Sequence, residues 1–145
     1  MTATLAEKPV LTLPQLETVS HQGRTLCLIV RKKPEPDKTT FFTDAECNLQ
    51  VGKIVYQKNT AIPRHDHKPV ERHVSGTSEV LVVEKGRMIA DIYTEQRELH
   101  SSHEVAEGDV LVLLAGGHGF RLLEDTILIE VKQGPYSAQQ DKERF

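Results

Sequence analysis

From Thr25 to Gly134 the chain is a succession of short runs rich in Val, Leu and Ile, each closed by turn residues. That texture constrains the fold more than any single residue does. "TLCLIV" (25–30) stops at the proline-bearing loop "RKKPEPDK", and "LQVGKIVYQ" (49–57) reads as the next strand. "EVLVVEKG" and "RMIADIYTE" read as a hairpin with Lys85-Gly86 at its tip, because glycine accepts the positive φ of such turns. "AEGDVLVLLAGGHGF" and "RLLEDTILIEVKQG" repeat the pattern, with turns at Glu107-Gly108 and Glu124-Asp125. About eight strands at spacings of roughly 8–12 residues specify an all-β sandwich or barrel. Only "LPQLETVS" (13–20) has the makings of a single helical turn.

Length and composition fit one soluble domain. The chain has 145 residues, enough for a single core and short for two. There is no tryptophan and aromatics are only 5%, so the core must rest on Val, Leu and Ile. A formal charge of -3 gives no electrostatic reason to bind nucleic acid or an anionic membrane. Cys27 and Cys47 are too few for a disulfide framework. The opening "MTATLAEKPVLTLPQLE" has no uninterrupted apolar stretch of the kind a signal peptide needs, and no run approaches a membrane span. The expectation is a reduced, cytoplasmic protein with neither nucleic acid nor membrane as partner. Residues 135–145, "PYSAQQDKERF", turn abruptly polar and read as a frayed tail, or else as an arm that packs on a partner subunit through Tyr136 and Phe145.

The chemistry concentrates around His65-Asp66-His67. Side chains at i and i+2 of a strand point to the same face about 6.5–7 Å apart, so both imidazoles can converge on one ion. Imidazole suits the divalent transition metals, and a carboxylate extends the choice toward iron and manganese. Glu79 opens the strand "EVLVVEK" on the face of Leu81 and Val83, where a carboxylate is costly unless paired or metal-bound. His118 follows Gly116 and Gly117, which let the backbone turn tightly and approach a centre closely. His100 and His103, by contrast, read as solvated residues of an edge strand or loop. Glu130 and Lys132 share one face of "ILIEVK". They form an acid and base beside the metal if that face is inward, and an ordinary surface pair if it is outward.

These residues resemble the motifs of the cupin superfamily. The first motif has a glycine, five residues, H-x-H, three or four residues, a glutamate, six residues and a glycine. His65 and His67 match the histidines, and Glu79 precedes Gly86 by the six residues asked for. The second motif, a glycine, five residues, P-x-G, two residues and a histidine, is similar to Gly108–His118, with Gly116 and His118 in the glycine and histidine places. The chain departs in having eleven residues, "KPVERHVSGTS", between His67 and Glu79, Leu114 at the proline position, and His118 one residue early. The insertion brings Glu71 and His73 as alternatives to Glu79. The resemblance spans residues 49–134 and implies a jelly-roll β-barrel core there, within a single domain (1–145) that carries extra N-terminal strands in 1–45 and a polar tail.

It further implies one divalent transition metal (Zn, Mn, Fe or Ni) held by His65, His67, Glu79 and His118, with positions left open for a small-molecule ligand. A sugar derivative or a hydroxy or keto acid would chelate there while Glu130, His73 or Glu71 moved a proton, giving isomerisation or epimerisation. Dioxygen activation on iron and a non-catalytic sugar or metabolite sensor remain as alternatives. The apolar β-formers "TLCLIV" and "KTTFFT" lie outside the motifs and lead to the expectation of a homodimer, in which N-terminal strands cover a partner's sheet.

Overall fold

The computed structural model describes residues 13–145. Their strands are β1 (Leu16–His21), β2 (Arg24–Val30), β3 (Thr40–Phe41), β4 (Gly52–Lys53), β5 (Glu79–Lys85), β6 (Arg87–Tyr93), β7 (Leu99–Ala106), β8 (Val110–Leu113), β9 (Gly117–Leu122) and β10 (Ile127–Lys132). All pairings are antiparallel, and no helix occurs among the described residues. A five-stranded sheet has the order β1-β2-β8-β5-β10, a three-stranded sheet the order β7-β6-β9, and β3 with β4 forms a short ribbon. The sheets are not closed into a barrel.

Alternation builds the core. Cys27, Ile29, Leu81, Val83, Leu111 and Leu113 from the larger sheet bury against Met88, Ala90 and Ile92 of β6 and Val105 of β7. The intervening residues of β2 and β8 do not face water either. Leu28, Val30 and Val112 are covered on the outer side by Phe42, with Val51 partly buried beside it. This two-sided burial is why "TLCLIV" runs continuously apolar. It makes β2 an interior strand of its own chain's sheet, flanked by β1 and β8.

Three local expectations change. Residues 13–20 make a turn at Pro14-Gln15 and then enter β1, so the helical turn is absent. "LQVGKIVYQ" pairs only at Gly52–Lys53, and residues 54–78 contain no strand. The segments around Gly86 are not a paired hairpin: β5 belongs to the larger sheet and β6 to the smaller. Gly86 is therefore a corner where the chain crosses between layers. Leu114–Gly116 makes the same crossing from β8 to β9. No helix among the described residues is long and apolar enough to cross a membrane.

On the outer face of the smaller sheet, Arg121 donates Nε and Nη2 to Asp91 at 2.9 and 3.0 Å, and Ser102 donates its hydroxyl to the same carboxylate at 2.5 Å. The Arg121 bonds, then that of Ser102, lower the Asp91 pKa from its ordinary 3.8 to about 2. A depressed carboxylate contributes stability above its unfolded pKa and loses it as pH falls through the folded one. Acid melts should therefore show Asp91→Asn losing its deficit relative to the parent between pH 4 and 2. A deficit that stays constant down to pH 2 would show that the ionised Asp91 carboxylate is not its source.

Candidate functional site

Glu79 is positioned by its neighbours on β5. Leu81 and Val83 share its face and lie in the core, so the carboxylate is carried into the space between the sheets. Across the larger sheet it sits opposite Leu113 of β8 and Lys132 of β10. His118 arrives from the smaller sheet, where Phe120 on the same face of β9 packs against the core. The two meet: His118 Nε2 lies 3.2 Å from Glu79 Oε2, with side chains 33% and 11% exposed. Residues that lie far apart in sequence and belong to different sheets thus form one polar pair.

The turn leading to His118 explains the glycine pattern. Gly116 has φ 69, and a β-carbon there would stand 2.2 Å from the Tyr93 carbonyl oxygen. Only glycine lets β8 cross to β9 so close to the end of β6. Burial pushes the His118 pKa down, and nearby Lys142 adds to this, while Glu79 and Glu130 act in the opposite sense without overcoming it. The imidazole therefore favours its neutral form.

The pair opens into a cleft of about 910 Å³. Gly76 and Thr77 form one part of its wall, Tyr93 and Arg97 another, and the segment from Gln140 to Phe145 a third. Sequence reading did not anticipate that last wall. Phe145 packs edge-on against Tyr93 at 5.3 Å, Arg97 lies 5.2 Å from the same Phe145 ring, and Arg97 Nη2 reaches Glu143 at 2.7 Å. Tyr136 stacks under Lys132 at 5.2 Å. Both tail aromatics thus engage their own chain. The legible signal was their position, two aromatics in an otherwise polar run.

Other expected site residues lie elsewhere. His65 and His67 sit on the exposed segment 54–78, not on a strand; their rings are 5.5 Å apart, and His65 Nδ1 is 2.9 Å from the Pro63 carbonyl oxygen. Pro63 and Pro69 each lack a backbone donor, and the polar run between them has no apolar face to bury, so nothing drives it into a sheet. Glu71 and His73 are exposed on the same segment. Glu130 and Lys132 stand opposite Leu81 and Glu79 and share their sheet face, but only Lys132 is partly buried there, and Glu130 is exposed. They do not pair with each other. Lys132 Nζ donates to Asp141 Oδ2 at 2.8 Å, and that bond raises the lysine's pKa.

The donor types fit a divalent transition metal, but the four expected ligands are not gathered. Glu79 and His118 are together, His65 and His67 are together, and no group of three metal-ligating side chains forms among the described residues. Comparison with family models, curated proteins and solved structures finds no match.

Proposed function

We propose that this chain is a cupin-like protein that binds a small, oxygen-rich metabolite in the cleft between its sheets, with Glu79 and His118 as the polar centre. The observation carrying this reading is their 3.2 Å contact at the cleft. A carboxylate against a neutral imidazole fixes which ring nitrogen holds the proton and leaves the other nitrogen able to accept one. Placed beside a ligand carbonyl, such a pair suits proton abstraction from the adjacent carbon, the first half of an isomerisation or epimerisation. Glu79 orients the ring. The cupin resemblance implies a divalent transition metal; Glu79 and His118 would hold it in place of their mutual contact, as an alternative to the proton-abstracting role, and when bound it would supply polarisation of the ligand's carbonyl.

Metal content tests the second half of this reading. Purified protein offered Zn, Mn, Fe or Ni should retain close to one ion per chain by native mass spectrometry. Glu79→Gln should weaken retention at least ~10-fold, and Glu71→Gln should not. If Glu71→Gln proves the more damaging, the exposed insertion supplies the carboxylate instead. The first half is read from the imidazole resonances of His118 during titration with sugar phosphates, nucleotide sugars and hydroxy acids. A His118 signal that none of them moves would remove the cleft reading.

A further inference from the structure

Segment 134–145 contains no strand, and every residue in it is exposed except one. The exception is Asp141. A turn closed by Ser137, whose carbonyl oxygen accepts from Gln140 N at 3.2 Å and Asp141 N at 3.0 Å, carries that carboxylate inward to Lys132. The resulting pair is 17% and 11% exposed, about as enclosed as Arg31 with Asp109 at 27% and 10%. Taking a carboxylate out of water costs free energy that only a well-placed cation offsets. A tail free to stay solvated instead sends one acid into the cleft that holds Glu79 and His118.

Resting on the cleft assignment made above, we propose that Lys132 is the anchor for a carboxylate on the cleft's ligand, and that Asp141 is its built-in occupant. Lys132 lies opposite Glu79 in the sheet register, so a ligand acid seated on it is held beside the Glu79–His118 pair. Glu79 lines this space and the exposed Glu130 lies close enough to act on His118, so a bare cleft beside both would disfavour an anion. The exchange removes that objection. A ligand carboxylate replaces the Asp141 carboxylate one for one, and the charge around Lys132 is unchanged. Tyr136 completes the seat, its ring covering the ammonium from another side. The ligand class that follows is a small hydroxy or keto acid, whose second oxygen then reaches toward the pair. Because Asp141 is tethered, it competes at an effective concentration in the millimolar range.

The test uses the full chain with pyruvate and L-lactate, their methyl esters as uncharged counterparts, and the His118 resonances with calorimetry as readouts. Both acids should bind the parent weakly and better than the esters. Asp141→Asn should tighten acid binding about tenfold, and Lys132→Gln should weaken it by a similar factor while leaving the esters unchanged. Lys132→Arg should retain most of the acid affinity. If acids and esters move His118 equally, and neither Asp141→Asn nor Lys132→Gln separates them, the Lys132–Asp141 pair is only a structural latch and the cleft reading survives without it. If neither acids nor esters move His118 in the parent or in Asp141→Asn, the cleft reading fails and takes this proposal with it. Should Lys132→Gln fail to fold, Asp141→Asn decides alone: unchanged acid affinity in that variant overturns the anchor.

Discussion

Gly116→Ala should destabilise this protein by about 4 kcal/mol, combining the cost of a left-handed backbone for a non-glycine residue with that of overpacking. The new methyl group would stand 2.2 Å from the Tyr93 carbonyl oxygen, and 3.3 Å from a Leu26 methyl group. Backbone must therefore move, because a carbonyl at the end of β6 has no rotamer to yield. A loss of this size in a domain of such length lowers Tm by roughly 10 °C. Gly23→Ala is the internal control. Gly23 also has positive φ, at 77, yet nothing stands within 4 Å of its would-be β-carbon. It should cost only the backbone part, about 1 kcal/mol. Equal melting shifts in the two variants would mean that the close approach at Gly116 is not tight. In that case the crossing that delivers His118 to Glu79 tolerates a side chain.

Most of the layer structure was legible because it rests on strict alternation. Glu79, Leu81 and Val83 fall on one face of β5 by parity alone, and the same parity puts Glu130 and Lys132 with them once β10 is paired to β5. His118 was legible from its glycines, which have little other reason to precede a strand. What alternation does not encode is which sheet a strand joins. "EVLVVEKG" and "RMIADIYTE" look the same whether Gly86 closes a hairpin or turns a corner, and here it turns a corner.

Local pattern also misled at His65 and His67. Their i, i+2 spacing converges only in a strand, and a strand requires neighbours to pair with and a face to bury. Neither exists between Pro63 and Pro69. The Lys132–Asp141 contact was illegible for the opposite reason. It depends on a turn at Ser137 within a polar run, where composition gives no hint that one acid among several points inward.

Shortening the segment between His67 and Glu79 should separate folding from function more sharply than any point substitution. Residues 69–76 are all exposed and carry no strand, so their removal leaves both clusters of buried side chains untouched. The melting temperature should stay within the few degrees expected of surface changes. Binding should not. The distal end of the segment supplies Gly76 and Thr77 to the cleft wall, and Ser78 N is tied to Gln133 Oε1 at 2.7 Å beside β10. Arg72, within the deleted run, and Lys68 beside it give the segment cations suited to an acid seated on Lys132. Closure of such a segment holds ligand and excludes water. A variant lacking 69–76 should thus melt like the parent and bind the same acids about tenfold more weakly, the size of a lost charge-assisted contact. If it melts like the parent and also binds like it, the insertion is a passive surface loop, and recognition rests on the two sheets and the tail.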